Sequence, residues 1–162
     1  MKHGDIMNRE GTFQKCTNCK ENINCCQSFD KINAPTLCEN EVKVISNRYS
    51  DVVEKICDDL YTIKIVNNKC VFYKNNKCQI YDIRPLDCKL YPFDIIKIEN
   101  KYYLILYKLN CNNINDFITD LEDINSIVEK IKPWIANFTN PVNFTKMKNK
   151  EYTIIKEIKM SN

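Results

Sequence analysis

The sequence predicts an α+β fold: small antiparallel hairpins in a meander, short helices, a cysteine-rich N-terminal loop and a C-terminal amphipathic helix. Three observations predict it. Short runs rich in β-branched and aromatic residues are separated by the turn-forming pairs Asn67-Asn68 and Asn75-Asn76. The apolar residues Ile114, Phe117, Ile118, Leu121, Ile124, Ile127, Val128 and Ile131 recur at helical spacing. Seven of the ten cysteines fall into Cys16-x2-Cys19-x5-Cys25-Cys26 and Cys70-x7-Cys78-x9-Cys88, with Cys111 following as the eighth of the set, and the first block lies among polar residues that read as a loop shaped by what it binds.

In chain order, residues 12 to 30 form that irregular loop. Pro35 to Tyr49 suits a short helix entered through Ala34-Pro35-Thr36, and a further helical turn or two is expected between Asp51 and Leu60. Tyr61 to Val66 is β-branched and alternating, Asn67-Asn68 turns it toward Cys70-Val71-Phe72-Tyr73, and Lys74-Asn75-Asn76-Lys77 turns again into Cys78-Gln79-Ile80-Tyr81. Between Arg84-Pro85 and Tyr91-Pro92 the prolines bound a short helical turn. Phe93 to Ile98 and Tyr102 to Tyr107, joined by Glu99-Asn100-Lys101, make the clearest hairpin. After the amphipathic helix, Pro133 kinks it or starts a second helix carrying Trp134, Ile135 and Phe138. Tyr152 to Met160 fits an edge strand or another helix.

With 162 residues the chain has room for one domain and a real core, without need of disulfides. Met1 to Glu10 lacks the apolar run of a signal peptide, so a cytoplasmic location is expected, where clustered cysteines point to metal or redox chemistry. No stretch approaches the roughly 20 apolar residues of a membrane helix. A net charge of +3, built from interspersed Lys and Glu, calls for no nucleic acid, and Lys146, Lys148 and Lys150 read as a solvated tail. Asn137-Phe138-Thr139 and Asn143-Phe144-Thr145 match the glycosylation pattern, which matters only in a secreted chain. Only two glycines, Gly4 and Gly11, leave no phosphate-binding loop, and no internal repeat is evident.

The only histidine, His3, sits at the extreme N-terminus, so a metal would be held mainly by sulfur, which selects zinc, an iron-sulfur cluster or cuprous copper. A Cys-x-x-Cys turn brings two sulfurs within reach of one metal. Asn22 breaks the bacterial ferredoxin spacing, no second Cys-x-x-Cys makes a zinc ribbon, and no βαβ pattern precedes Cys16 as a thioredoxin motif requires. In a regular hairpin turning at Asn75-Asn76, Cys78 pairs with Tyr73 and Cys70 with Tyr81, on opposite faces. Either the hairpin is bulged or the two serve different places. Adjacent Cys25 and Cys26 raise the same question, so the thiols divide into two four-cysteine sites or one cluster plus structural thiols. Cys38 and Cys57 read as small buried hydrophobes on helical segments.

Phe13-x-x-Cys16-x-x-Cys19, then Cys25-Cys26, then Cys70-x7-Cys78-Gln79-Ile80-Tyr81-Asp82-Ile83-Arg84-Pro85-Leu86-Asp87-Cys88-Lys89-Leu90-Tyr91-Pro92 resembles the YkgJ-type cysteine-cluster family, the zinc- or iron-chelating domain family. The likeness runs from about residue 13 to 112. Cys111 looks like the family's late cysteine, with Asn112-Asn113 where Pro-Gly is usual. Five residues separate Cys19 from Cys25 where two or three are usual, and a customary glycine is missing. The resemblance implies chelation of zinc or an iron-sulfur cluster by Cys16, Cys19, Cys25, Cys26, Cys70, Cys78, Cys88 and Cys111. Members are often called iron-sulfur oxidoreductases, and a flagellin lysine methylase carries a similar cluster.

The expected organisation is a flexible N-terminus at 1–11, a cysteine-cluster metal-binding domain at 12–112, and a helical extension at 113–162 packed on the same domain. Arg84 is the expected cofactor-binding residue, its guanidinium facing the thiolates; the competing reading is a salt bridge to Asp82 or Asp87. Two functions compete: a metal-binding module, or an iron-sulfur enzyme of electron or group transfer. No recognisable acid-base pair lies near the cysteines, and Asp82, Asp87 and Asp94 read as solvated carboxylates. The expected partner is a metal ion or cluster, with no membrane.

Overall fold

A computed structural model describes residues 34–75, 77–108, 121–139 and 151–160. Its order is β1 (Thr36–Leu37), α1 (Glu39–Arg48), β2 (Val53–Cys57), β3 (Leu60–Ile63), β4 (Ile65–Val66), β5 (Lys69–Cys70), β6 (Tyr73–Lys74) and β7 (Lys77–Cys78). A 3-10 turn (Tyr81–Ile83) leads to α2 (Leu86–Leu90), β8 (Phe93–Ile98), β9 (Lys101–Tyr107), α3 (Leu121–Ile131), a second 3-10 turn (Lys132–Trp134), α4 (Ile135–Phe138) and β10 (Tyr152–Ile158). The architecture is α+β, built from antiparallel hairpins and short helices.

Two sheets carry most of the order. In the first, β3 lies between β1 and β2, all antiparallel, with Thr36 opposite Thr62 and Val53 opposite Ile63. In the second, β9 lies between β8 and β10. Phe93 pairs with Leu106 and Ile95 with Leu104, so alternate residues of β8 and β9 face one core. Onto that face α3 lays Ile124, Val128 and Ile131, burying Leu90, Phe93, Leu104, Leu106, Ile135 and Ile158 with them. The helical spacing legible from Ile114 onward is thus realised in α3, while residues 114–120 lie outside the described part.

Several expectations change. The helical turn anticipated between Asp51 and Leu60 is the hairpin β2–β3, because the Asp58-Asp59 turn sets Cys57 opposite Leu60 and pairing satisfies the backbone. Thr36–Leu37, expected to lead into a helix, is a strand, and α1 begins only after Cys38. The final segment, open between strand and helix, is β10 on the edge of β9, with a bulge between Ile154 and Lys156. Pro133 falls in a 3-10 turn that separates α3 from α4, where its missing N–H costs least. Among the described residues no helix is long and apolar enough to cross a membrane.

A second, smaller core gathers Leu37, Ile45, Val52, Ile63, Phe72 and Ile80, with Cys70 and Cys78 packed against it. The rings of Tyr49 and Phe72 meet edge to face, 5.0 Å between centroids.

Candidate metal centre

Two hairpins with two-residue strands build the site. In the first, Ile65 pairs with Cys70 and Val66 with Lys69 around Asn67 and Asn68, both left-handed (φ 51° and 60°), the conformation asparagine tolerates best among residues with a Cβ. In the second, Tyr73 pairs with Cys78 and Lys74 with Lys77, with Asn75 at φ 51°. The tetrapeptide Asn-Asn-Lys-Cys therefore occurs twice, at 67–70 and 75–78, a local repeat that sequence reading passed over. The first copy is a turn leading to a strand that ends on its thiol, and the strand of the second ends likewise on Cys78.

This arrangement decides the question of faces. Cys78 does pair with Tyr73, but Cys70 pairs with Ile65 in the preceding hairpin, not with Tyr81. The chain breaks its ladder at Val71-Phe72, where Val71 donates to the Lys64 carbonyl (3.1 Å) and Phe72 accepts from the Gln79 N–H (2.9 Å). Released from one continuous hairpin, both cysteines pack on the same small core, near enough that a charge on Cys78 acts on Cys70.

The Cys70 sulfur accepts hydrogen bonds from the backbone N–H groups of Phe72 and Tyr73. Burial pushes this thiol's pKa up, the two N–H donors pull it down, and the nearby Cys78 pushes it up again. Left alone, the pocket keeps a proton on Cys70. A soft cation replacing that proton relieves both the desolvation and the repulsion, while the N–H donors remain aimed at the sulfur as they are at ligated thiolates.

Among the described residues no three His, Cys, Asp or Glu side chains gather as a metal-holding group. The structure brings together Cys70 and Cys78, both half-buried thiols, and carries Cys88 separately on α2, also half-buried. Cys16, Cys19, Cys25, Cys26 and Cys111 lie outside the described residues. Cys38 is buried as expected, though at the start of α1; burial first, then the Glu41 carboxylate, hold its pKa up at about 12, which leaves a neutral thiol. Cys57 is exposed at the end of β2, which corrects its assignment as a buried hydrophobe.

Arg84 lies over the Tyr81 ring, its Cζ 4.3 Å from the centroid. Its backbone is extended (φ −56°, ψ 144°), as a residue before proline must be, so Pro85 can open α2. Asp87 and Asp94 are not solvated carboxylates. Asp87 Oδ2 accepts the Thr36 N–H at 2.7 Å, and Asp94 accepts the Ile95 N–H at 2.7 Å and the Tyr107 hydroxyl. Glu41, which sequence reading placed only on a helix, spans two elements. Its Oε1 accepts the Leu86 N–H at 2.7 Å and its Oε2 the Cys38 N–H at 2.8 Å. The acidic residue three positions into α1 was the available signal.

The described part is a small α+β scaffold that sets Cys70 and Cys78 on two neighbouring hairpins against one core. A model of the family described as "Putative zinc- or iron-chelating domain", with the signature CxxCxxCC, matches residues 15–112. The chain belongs to that family, and metal binding is the general function that membership supports. Comparison with curated proteins and with solved structures gave no match.

Proposed function

We propose that the chain holds zinc or an iron-sulfur cluster through cysteine thiolates, with Cys70 and Cys78 as two of the ligands. Cys16, Cys19, Cys25, Cys26, Cys88 and Cys111 are the remaining candidates. The observation that carries this reading is the turn after Cys70, whose two N–H groups converge on a half-buried sulfur beside a second thiol. Such donors serve a bound thiolate better than a neutral core cysteine. Arg84, following the Cys78 strand by one short turn, adds positive charge to a thiolate set that leaves either metal centre anionic. When bound, zinc supplies a fixed cross-link and a cluster supplies an electron store. On this reading the protein's part is chelation, with the metal fastening the N-terminal cysteine block to the Cys70 to Cys88 region.

Anaerobic purification, metal analysis and a visible spectrum test it. A brown protein with iron and acid-labile sulfide, or a colourless one with stoichiometric zinc, is the expected result. Cys70→Ser and Cys78→Ser should each lower metal content severalfold, whereas Cys57→Ser should leave it unchanged. Wild-type protein free of both metals, or full occupancy in the Cys70 and Cys78 variants, overturns the reading.

A further inference from the structure

The thiol-bearing hairpins carry a local excess of positive charge. Residues 64 to 84 carry Lys64, Lys69, Lys74, Lys77 and Arg84 against the single acid Asp82, a net +4, while the whole chain carries only +3. Five of the eight candidate ligands have lysine as an immediate neighbour, in Lys15-Cys16, Cys19-Lys20, Lys69-Cys70, Lys77-Cys78 and Cys88-Lys89. The arrangement in space is more telling than the count. Lys64 is paired with Asp51 at 2.7 Å, and Lys43, Lys101, Lys108 and Lys132 likewise reach carboxylates. Lys69, Lys74 and Lys77 are exposed and have no ion-pair partner among the described residues.

Lys74 and Lys77 stand directly opposite each other across β6–β7. Like charges in that position destabilise a ladder, and this ladder is only two residues long on each side. Among the described residues no carboxylate forms an ion pair with either lysine. An external anion would offset the repulsion, on the side of the strands opposite the sulfurs. Because neighbouring side chains of a strand alternate, the lysines project away from the sulfurs and outward.

We propose that Lys69, Lys74 and Lys77 form a docking face for an acidic protein on the outer side of the thiol-bearing hairpins, turned away from the sulfurs. A protein is favoured over a nucleic acid by two features. The patch is three lysines with no arginine among them, short of the dense stripe that tracks a phosphate backbone. The exposed aromatic nearby, Tyr81, already has one ring face covered by Arg84, which leaves a poor platform for base stacking. Small, charge-steered contacts of this kind suit transient partners. The existence of the face does not rest on the metal-centre reading.

The test uses the full chain as purified, its metal content measured first, titrated with short poly-L-glutamate and, separately, with a single-stranded oligonucleotide of equal charge. Amide shifts on polyglutamate addition should concentrate at residues 69 to 78, and binding should weaken as salt rises. Lys74→Glu with Lys77→Glu should weaken binding by about tenfold or more. Lys130→Glu with Lys159→Glu, an equal charge change at exposed positions elsewhere, should alter it less than about twofold. Equal weakening in the two pairs overturns the proposal, since net charge alone then explains binding. Tighter binding of the oligonucleotide at the same amides also overturns it, in favour of a nucleic-acid surface. Metal-free wild-type protein that still shows the site-specific charge effect defeats the metal-centre reading and leaves the docking face standing.

Discussion

The two halves of the described molecule are stabilised differently. In the second sheet, β8, β9 and β10 are six or seven residues long and one face is sealed by α3; Leu104 and Ile131 are wholly inaccessible to solvent. In the thiol region, β4 to β7 are two residues each, and such ladders are marginal without other support. The first region is held by apolar burial, which is present once the chain folds. The second has only a small core and, on the function proposed above, the metal that its thiols would hold. On that reading burial and cross-linking are divided between regions.

The largest expected effect breaks the first region. Leu104→Ala removes a side chain packed against α3 and should cost about 2–5 kcal/mol in urea unfolding, with or without metal. If the loss were instead confined to metal-loaded protein, the division between the two regions would be wrong.

A smaller effect is expected where the regions meet. Glu41 ties the start of α1 to the start of α2, and Asp87 returns a bond to Thr36, so two carboxylates join segments 45 and 51 residues apart in sequence. Glu41→Ala leaves the N–H groups of Cys38 and Leu86 without their acceptor, a cost of about 2 kcal/mol. Hydrogen exchange at those two amides should accelerate well beyond the change at Leu104. A uniform acceleration would show that Glu41 supports the fold generally and not this junction.

What sequence could reveal follows the same division. The β8–β9 hairpin and the apolar stripe of α3 were legible because their periodicity spans many residues and each position votes for the same element. The thiol region was legible in composition but not in geometry. A break of two residues at Val71-Phe72 moved Cys70 from one hairpin to another, and no periodicity records a break that short. The β2 strand was missed because Val53 to Cys57 fits either period, and pairing with β3 decided it. Glu41, Asp87 and Asp94 look like ordinary charged residues in the sequence because the Leu86 and Thr36 N–H groups and the Tyr107 hydroxyl that they bind lie 45, 51 and 13 residues away. Cys38 and Cys57 looked alike as sequence; only packing separates a buried thiol from an exposed one.

The smallest effect tests the second sheet by pH. Tyr107 is buried, donates its hydroxyl to Asp94, and has the charges of Asp94 and Asp87 and the hydroxyl of Tyr91 around it. Burial first, and those carboxylates next, raise its pKa well above the ordinary tyrosine range. The unfolded chain releases this proton near pH 10 while the folded chain retains it, so the folded state binds more protons above that pH. The stabilisation is therefore fully present below about pH 10 and is lost as pH rises further, at up to about 1.4 kcal/mol per unit. Tyr107→Phe should cost about 1 kcal/mol at neutral pH through the lost bond to Asp94. Its stability should then fall less steeply than that of the wild type in alkaline urea titrations, because the group that titrates differently has been removed. Parallel curves for the two proteins would mean that Tyr107 reaches solvent in the folded state. Because this tyrosine lies in the sheet region and not among the thiols, the difference between the curves should survive removal of the metal, which the division between burial and cross-linking requires.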